Sequence, residues 1–488
     1  MPDTSPEHAR RTLPCVHAPD DALPSTPDTA PAGWSDPGRL RSAAARHLWP
    51  HFTPADQAAR GDLPVFVRGE GVEMWDADGK RWLDGLAALF TVQVGHGRRD
   101  LLQKAVDRAG DLAYFPLWGA ANAPAVELAE RLAHLAPGDL DRVFFGTGGG
   151  DSVEAAWKLA RSYFAAVGKP RKYKVLSRVG AYHGTSLGAL SITGMTGIRH
   201  MYEPLVPGAV KVPSTNLYRA PVHADDPVAF GAWAADQVEA TILAEGPDTV
   251  AAIFLEPVQN AGGSLLPPPG YLQRVREICD RHDVLLVSDE TICGFGRTGA
   301  MFGCERFDVV PDMITCAKGL TSGYAVLSAV IASERIFEAF RAGGGQFVHG
   351  NTWGGHPVAA ATALANLDLF DELGLVEHVA ATEGAFGDAM RGLGDLELVG
   401  DVRGVGHFWT VEVVADRATR RPIVADADGR HVADVIRAAV LDAGLHCRVF
   451  GSGSSVIQLC PPLISDQGVF DEIEQVLRAA LEKGAAAC

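Results

Sequence analysis

The sequence has 488 residues, of which 47% are hydrophobic and 21% are charged, values typical of a globular protein rather than a disordered or fibrous one. Lysines and arginines number 43 against 60 aspartates and glutamates, so the net charge is −17, and no long basic run occurs. This balance argues against nucleic-acid binding and makes small molecules the expected partners.

The cysteines and the lengths of the apolar runs exclude further classes of protein. Eight cysteines are scattered without a C-x-x-C pair, which argues against a zinc ribbon or a redox dithiol and fits a reducing cytoplasm. No apolar run reaches the roughly 20 residues of a membrane helix, and the N-terminus lacks the apolar core of a secretory signal. We therefore predict a cytoplasmic protein with no membrane partner and no metal.

In chain order, the first predicted element is a disordered tail at residues 1–40, which are rich in Pro, Asp, Ser and Thr. Residues 41–88 are predicted to be the N-terminal segment of a small domain and contain a hairpin that turns on Asp78 and Gly79. A large domain is predicted at 89–369 and the C-terminal part of the small domain at 370–488, where amphipathic helices and shorter strands begin.

The large domain repeats a strand, loop and helix pattern. The stretch "RVFFGTGGGDSVEAAWKLARSYFAAVG" begins at Arg142 with an apolar run, continues through a glycine loop and has helical spacing from Val153 to Val167. Further short apolar runs stand at 172–178, 249–257, 284–290, 312–318 and 325–333. The pattern predicts an α/β fold, with a mostly parallel sheet covered by helices on both faces and a smaller α+β domain beside it.

Ligands of such sheets bind beyond the carboxyl ends of the strands. One predicted strand ends in Gly146-Thr147-Gly148-Gly149-Gly150-Asp151 and leads directly into a helix, whose free N–H groups and dipole favour an anion. An ordinary tight turn remains an equal alternative for these glycines. The spacing matches neither G-x-G-x-x-G nor G-x-x-x-x-G-K-[ST], which argues against dinucleotide and nucleoside-triphosphate binding.

Two charged residues close neighbouring apolar runs. Lys318 follows "DMITCA", and Asp289 ends "LLVSD", 29 residues earlier. A desolvated lysine is an amine nucleophile, and an anion loop, a lysine and a strand-end carboxylate together match the needs of pyridoxal phosphate. The alternatives are a solvated surface lysine and an aspartate that caps a helix or forms an ion pair. Glu290 has no proposed role toward the cofactor, and we expect it to form a local pair with Arg297.

Seven motifs carry a family resemblance. They are "VGHGRRDL" (94–101), "AYHGTSLGALSITG" (181–194), "IFLEPVQNAGG" (253–263), "SDETICGFGRTG" (288–299), "AKGLTSGY" (317–324), "HGNTWGGHPVAAATALANL" (349–367) and "CRVFGSGSSVIQLCPPLI" (447–464). From about His47 to about Val469 the chain resembles the class III aminotransferases of the fold-type I pyridoxal-phosphate enzymes. Within them it is similar to the ω-amino acid and amine:pyruvate transaminases.

The resemblance implies roles for individual residues. It makes Lys318 the Schiff-base lysine and Asp289 the partner of the pyridine nitrogen. The other implied contacts are stacking by Tyr182, packing by Thr291 on the other ring face, phosphate binding by Gly148, Gly149 and Gly150, and contact of Thr352 with the phosphate of a neighbouring subunit's cofactor. Arg448 matches a mobile arginine that binds a substrate carboxylate, with a surface arginine as the alternative. The resemblance also implies a homodimer, or a tetramer, whose active sites lie at the subunit interface.

The chain departs from the family pattern in four places. The phosphate loop usually reads Ser-Gly-Ser-Glu and here reads Gly148-Gly149-Gly150-Asp151, so hydroxyl donors worth about 1 kcal/mol each are missing. Thr291 replaces the usual valine, and Phe90 stands where amine-accepting relatives often have tryptophan. Trp118 falls in the segment that usually lines the substrate pocket, so we expect a pocket of different shape.

The expected function is a ping-pong transfer of an amino group from an amine or ω-amino acid to a keto acid, with pyruvate as the expected acceptor. Two alternatives stay open from the sequence. One is a decarboxylase, racemase or amino-lyase on the same fold with the same cofactor. The other is a non-catalytic protein that retains the cofactor, favoured only by the weakened phosphate loop.

Overall fold

A computed structural model describes residue 34 and residues 36–343, 345–425, 427–451 and 454–487. The chain forms two compact units, which divide after Val67. The first contains helices α1 (Pro37–His47) and α2 (Ala55–Arg60). Most of the predicted disordered tail, residues 1–33 and 35, lies outside the described residues.

The tail prediction is wrong at its C-terminal end, because residues 37–40 are helical. Asp36 is the N-cap of α1, and its carboxylate accepts a hydrogen bond of 2.9 Å from the backbone N–H of Arg39. Pro37 follows at the first helical position, where its fixed φ and missing N–H cost nothing. An Asp-Pro pair of this kind is a helix-start signal that overrides the polar composition around it.

The second unit begins at Arg68 and carries the remaining elements. The strands, the first of which starts just before the boundary, are β1 (Phe66–Glu70), β2 (Glu73–Asp76), β3 (Arg81–Asp84), β4 (Leu140–Gly146), β5 (Lys174–Arg178), β6 (Ala209–Val212), β7 (Val250–Leu255), β8 (Leu285–Asp289), β9 (Met313–Cys316), β10 (Ser328–Ser333), β11 (Val399–Val405), β12 (Phe408–Asp416), β13 (Arg421–Pro422), β14 (Leu445–His446), β15 (Arg448–Val449) and β16 (Val456–Leu459). The helices are α3 (Ala87–Phe90), α4 (Arg99–Ala109), α5 (Ala123–Leu135), α6 (Gly149–Ala166), α7 (Leu187–Ile192), α8 (Thr196–Arg199), α9 (Pro227–Glu245), α10 (Tyr271–His282), α11 (Gly303–Arg306), α12 (Glu334–Gly343), α13 (Pro357–Leu373), α14 (Leu375–Gly392), α15 (Ala427–Asp442) and α16 (Gln467–Ala485).

The central sheet has seven strands in the order β4-β10-β9-β8-β7-β5-β6. Strand β10 runs antiparallel to both of its neighbours, and the remaining pairs are parallel. Each of the five apolar runs predicted as strands contains one of these strands. The mostly parallel sheet predicted from the sequence is therefore confirmed.

Apolar side chains of the central strands alternate between two separate buried clusters. In β7, Ile253 and Leu255 belong to one cluster, whereas Ala252 and Phe254 belong to the other. Because both faces of the sheet are covered, the strands read as continuous apolar runs rather than as an alternating pattern. The only polar positions at the carboxyl end of β8 are Ser288 and Asp289, where the sheet meets the candidate site.

The C-terminal region forms its own sheet, in which β11, β12, β16 and β15 pair in that order. Its buried side chains pack with those of α14, α15 and α16 and with Leu83 of β3. Strand β3 also pairs in parallel with β14, where Leu83 lies opposite Leu445. This pairing joins β3 to the C-terminal region. The assignment of 41–88 and 370–488 to one small domain stays a prediction, as does its boundary at residue 89. No helix in the described ranges has the length and apolar character to span a bilayer.

A buried histidine makes the stability of the C-terminal region depend on pH. His407 is fully buried, and its Nε2 contacts the hydroxyl of Thr382 at 2.9 Å. Burial, together with the charges of Arg297 and His378, lowers the pKa of His407 from 6.5 to about 3. A histidine with a depressed folded-state pKa favours the native state fully above its unfolded pKa, and this stability is lost as the pH falls.

We expect the unfolding free energy to fall by about 1.4 kcal/mol per pH unit below pH 6.5 through His407 alone. Urea denaturation midpoints of the wild type and His407→Gln, measured from pH 7 to pH 4, test this expectation. The glutamine can still bond Thr382 but does not titrate, so its stability should depend less steeply on pH. Parallel curves for the two proteins would contradict the assignment.

Candidate active site

A cavity of about 290 Å³ opens beyond the carboxyl ends of β8 and β9 and beside the N-terminus of α6. Three of the features singled out in the sequence, the glycine loop, Asp289 and Lys318, meet there. The lining residues are Gly149, Gly150, Asp151, Tyr182, His183, Gly184, Thr185, Ser186, Glu256, Asp289, Thr291, Ile292, Cys293, Ala317 and Lys318.

Lys318 lies two residues beyond β9, at the start of a 3-10 turn that extends to Leu320. Its φ of 39° is in the left-handed region, a strained conformation for a residue with a side chain. Burial lowers the pKa of Lys318, whereas the nearby carboxylate of Asp289 partly opposes this shift. The amine makes no hydrogen bond with a residue of the described chain. A strained, desolvated and unbonded lysine is poised for reaction with a carbonyl group.

Asp289 ends β8 and is 4% exposed. Its carboxylate lies 2.8 Å from Nδ1 of His183 and accepts hydrogen bonds from the hydroxyl of Thr315 at 3.2 Å and the N–H of Thr291 at 3.1 Å. Burial alone would raise the pKa of Asp289, but the hydrogen bond and charge of His183 and the bond from the N–H of Thr291 lower it below its usual value. The carboxylate is therefore held in its charged form.

His183 is a site residue that the sequence reasoning missed. It is 3% exposed, and since the Asp289 carboxylate can only accept, His183 donates the Nδ1 proton. Its Nε2 atom has no hydrogen-bond partner in the described chain. The available signal was its position beside Tyr182 in "AYHG", within one of the family motifs.

The glycine loop forms part of the cavity wall through Gly149 and Gly150. Helix α6 begins at Gly149 after the extended N-cap Gly148, and no side chain caps its first turn, which leaves backbone donors for an anion. A Cβ atom on Gly149 would lie 3.0 Å from a methyl carbon of Thr291. Glycine is needed here because any side chain would fill the space next to Thr291. Gly148 contributes as the N-cap and does not itself line the cavity.

Two hydroxyl residues partly offset the missing serines of the loop. Thr185 and Ser186 line the cavity, and the Ser186 hydroxyl lies 3.4 Å from the position of a Cβ atom on Gly150. Asp151 accepts hydrogen bonds from the N–H of Thr147 at 2.8 Å and from the amide of Asn351 at 2.9 Å, so its carboxylate braces the loop. The expectation that the loop lacks hydroxyl donors holds for 148–150 but not for the cavity as a whole.

Tyr182 and Thr291 both line the cavity, as the resemblance implies. Thr291 stands where the family usually has valine. Its hydroxyl is buried and has no hydrogen-bond partner in the described chain. The N–H of Tyr182 donates to Glu256 at 3.3 Å, and burial raises the pKa of this glutamate. Glu256 was also missed from the sequence, although it stands in the motif "IFLEPVQNAGG".

The predicted pair between Glu290 and Arg297 is wrong. Glu290 accepts hydrogen bonds from the N–H groups of Gly303 at 2.8 Å and Cys304 at 2.7 Å, at the start of α11. Arg297 instead donates to the carbonyl of His407 at 3.0 Å and to other acceptors. Burial raises the pKa of Glu290 to about 7. Backbone N–H groups at a helix start therefore bind this carboxylate, and the amino-acid sequence does not show which backbone groups will face it.

Arg448 lies on β15 and does not line the cavity, but its charge acts on the cavity residues Tyr182 and Lys318. Its guanidinium carbon lies 4.7 Å from the ring centre of Phe90, which does not line the cavity either. It donates to the side-chain oxygen of Gln458 at 3.0 Å and forms no ion pair with an acid of the described residues. Burial lowers the pKa of Arg448, as expected for a guanidinium without a carboxylate partner. Phe90 is 1% exposed and packs edge-on against Phe408.

Thr352 and Trp118 do not line this cavity within the single chain. Trp118 is 70% exposed, and Thr352 is exposed with its carbonyl oxygen 2.6 Å from the hydroxyl of Tyr114. The contact implied for Thr352 involves a second subunit, and both this contact and the place of Trp118 in the substrate pocket stay predictions. Across the described ranges, no three His, Cys, Asp or Glu side chains are grouped so that they could hold a metal ion.

A strand-end carboxylate, a desolvated lysine beyond the next strand and an uncapped glycine-rich helix start define an enzyme site of the fold-type I pyridoxal-phosphate class. Comparison with known proteins gives the family: the model of the class-III aminotransferases matches residues 57–481. The chain belongs to the class III aminotransferases, and its cofactor is pyridoxal 5′-phosphate.

Individual proteins agree with the family match. A probable aminotransferase of Mycobacterium tuberculosis is 56% identical over 91% of this chain and 94% of its own length. The putrescine–pyruvate aminotransferase of Pseudomonas aeruginosa is 36% identical over 90% of this chain and 95% of its own. A crystal structure of the omega transaminase of Pseudomonas jessenii in complex with PMP has a TM-score of 0.86 and 32% identity, covering 92% of this chain and 98% of that one. The predicted fold, enzyme class and cofactor are thus confirmed.

The residues present fit this cofactor. The Thr291 hydroxyl is buried without a partner in the described chain, and a Cβ atom on Gly149 would fill the space beside Thr291. The donor set also matches, because a phosphate needs N–H groups, a protonated pyridine needs a carboxylate and an aldehyde needs an amine.

Proposed function

We propose that this aminotransferase takes the amino group from an amine or ω-amino acid and delivers it to a keto acid, with pyruvate as the acceptor. Arg448 is the observation that carries the proposal, because it is a partly buried cation whose charge acts on the cavity residues Tyr182 and Lys318 and which has no carboxylate partner among the described residues. An amine donor needs no such cation, whereas a keto acid acceptor does. The pyruvate-dependent relative supports the choice of acceptor.

Lys318 and Asp289 divide the chemistry of the site. When bound, pyridoxal 5′-phosphate supplies an aldehyde that condenses with amines and a ring that accepts electrons from the substrate carbon. Lys318 Nζ, whose pKa is lowered by burial, is available as a neutral amine to remove the proton from the substrate carbon. The Asp289 carboxylate, kept charged by His183, holds a proton on the pyridine nitrogen.

The remaining side chains bind and orient. The first turn of α6 would hold the phosphate through its backbone N–H groups, with the hydroxyls of Thr185 and Ser186 as additional donors. Tyr182 and Thr291, which both line the cavity, would hold the ring. His183 fixes the carboxylate of Asp289, since its Nδ1 lies 2.8 Å from that group.

We also propose that the protein is a homodimer that assembles complete sites from two chains, or a tetramer of such dimers. Exposed large apolar side chains support this proposal, among them Trp118 at 70% and Trp353 at 56% exposure. Trp353 adjoins Thr352, to which the resemblance gives a contact with the neighbouring subunit's cofactor, and Trp118 falls in the segment that usually lines the substrate pocket. A cytoplasmic location stays a prediction, supported by the six free cysteines among the described residues.

Product analysis tests the proposed reaction. Holoenzyme incubated with an amine and pyruvate should form alanine and the matching carbonyl compound in equal amounts. Without pyruvate, no alanine should form, and formation of the carbonyl compound should stop after one turnover per site. Release of CO2 or ammonia without a keto acid would instead support a decarboxylase or an amino-lyase. Absence of any turnover in fully loaded enzyme, across a panel of amines and ω-amino acids, would contradict the proposal.

A further inference from the structure

The side chain that meets Arg448 is a neutral amide. Gln458 lies on β16 directly opposite Arg448 of β15 in the antiparallel register, and it is 2% exposed. Its Oε1 atom accepts a hydrogen bond of 3.0 Å from Nη1 of Arg448. A long arginine side chain has many rotamers, so this bond and the contact with Phe90 at 4.7 Å restrict its direction.

A second residue fixes the orientation of the Gln458 amide. Nε2 of Gln458 donates to the backbone oxygen of Asn260 at 2.8 Å and lies 3.1 Å from the Asn260 side-chain oxygen. Because a backbone carbonyl can only accept, the nitrogen of the amide must face Asn260 and the oxygen must face Arg448. The amide cannot flip without losing both contacts.

Asn260 is in turn tied to the cavity wall. Its N–H donates to the carboxylate of Glu256 at 2.9 Å, and the other carboxylate oxygen of Glu256 accepts from the N–H of Tyr182. Asn260 is 4% exposed and lies on the loop that follows β7. Buried hydrogen bonds therefore run from the wall around Tyr182, through Glu256, Asn260 and Gln458, to Arg448.

We propose that Gln458 is a positioning residue, which holds Arg448 in the orientation that binds a substrate carboxylate. This inference rests on the proposed function, in which Arg448 binds that carboxylate. A neutral acceptor suits the task because it directs the guanidinium without neutralising its charge, whereas an acid at the same position would compete with the substrate. Gln458 thereby sets the preference for substrates that carry a carboxylate over amines that do not.

The test compares two donors that differ only in the group that Arg448 would bind. L-Alanine carries a carboxylate where isopropylamine has a methyl group, and the half-reaction of each with the holoenzyme is followed through the cofactor spectrum. In Gln458→Met, which keeps the length of the side chain, we expect the apparent KM for L-alanine to rise about tenfold, as for loss of a hydrogen bond to a charged group. The limiting rate with L-alanine and both parameters for isopropylamine should change less than about twofold.

Two further variants sharpen the result. Gln458→Glu places an acid beside Arg448, so KM for L-alanine should rise more than in Gln458→Met. Thr410→Val is the matched control, because Thr410 is equally buried, lies opposite Gln458 on β12 and loses one hydrogen bond, to Ser264 at 2.8 Å. It does not contact Arg448 and should leave the ratio of the two donors unchanged. Retained reaction with isopropylamine shows that a variant is folded.

The outcomes distinguish a failure of the inference about Gln458 from a failure of the proposed function. Arg448→Met should raise KM for L-alanine selectively; if it does not, or if wild-type holoenzyme fails to react with L-alanine, the proposed function is wrong and the inference falls with it. If Arg448→Met is selective but Gln458→Met is not, the inference alone is overturned. Equal losses for both donors in Gln458→Met, or an alanine-selective loss in Thr410→Val, would likewise overturn it.

Discussion

Replacing Lys318 with alanine is expected to lower the rate of the half-reaction with L-alanine at least about 1000-fold, because the nucleophile and the base are removed together. Lys318 lines the cavity, is strained at a φ of 39° and has a pKa lowered by burial. No other lysine lines the cavity in the described part of the chain, so nothing replaces its amine. The measurement is a single-turnover reaction of cofactor-loaded enzyme followed by absorbance.

A second desolvated lysine provides the control. Burial lowers the pKa of Lys211 to about 7, and its amine donates to the hydroxyl of Ser177 and the carbonyl of Ser191, each at 2.9 Å. Lys211 lies on β6 and does not line the cavity. If the environment at Lys318, rather than a lowered pKa alone, makes the reactive amine, Lys211→Met should react within about twofold of wild type.

Chemical rescue distinguishes the loss of a base from the loss of fold. A small primary amine added to Lys318→Ala can enter the space left by the side chain and carry the proton, so the rate should rise with its concentration. Lys318→Ala that keeps the spectrum of lysine-bound cofactor, or reacts within about tenfold of wild type, would contradict the role assigned to this residue.

The sequence predicted the sheet well because its strands are buried on both faces. Runs such as "LLVSD" are almost wholly apolar, and the predicted runs match six of the seven central strands, all except β6. The carboxyl ends of parallel strands meet at one edge, so Asp289 and Lys318 could be assigned to one site from the sequence. Family motifs then supplied Tyr182 and Thr291, which line the same cavity.

Partners that depend on backbone geometry were not predictable. Glu290 is satisfied by two N–H groups at a helix start rather than by Arg297, and no spacing rule encodes that choice. His183 was missed because a single histidine in a loop gives no sign that it faces a strand-end carboxylate from another part of the chain. The contact implied for Thr352 depends on a second chain, whose geometry one sequence cannot supply.

Asp289→Asn is expected to lower the rate of the same half-reaction roughly 100- to 1000-fold, the cost of removing one preorganised electrostatic contact. Asparagine has nearly the same shape, but its single acceptor oxygen can accept either from His183 or from the N–H of Thr291, so one of these two contacts is lost. It lacks the negative charge that keeps a proton on the pyridine nitrogen. The reaction should slow without a comparable loss of folded protein.

Asp312→Asn is the matched control, because it also neutralises a buried carboxylate beside the central sheet. Asp312 is 9% exposed, accepts from the N–H of Leu286 at 2.7 Å and pairs with Arg276 and Arg335. It does not line the cavity. We therefore expect Asp312→Asn to lower the thermal midpoint while its rate per loaded site stays within about threefold of wild type. Equal rate losses in the two variants would show that the effect at Asp289 is structural.

The pH dependence of the rate adds an independent check on Asp289. Its folded-state pKa lies below the usual value, so the carboxylate stays charged and its contribution is lost only as the pH falls through that lowered pKa. Any acid limb between pH 5 and pH 8 must therefore come from another group, such as the amine of Lys318. Because the charge of Asp289 raises the pKa of Lys318, an acid limb due to that amine should move to lower pH in Asp289→Asn, and the rates should be lower throughout. An acid limb that keeps its wild-type position or moves to higher pH in Asp289→Asn would contradict a charged carboxylate beside that amine.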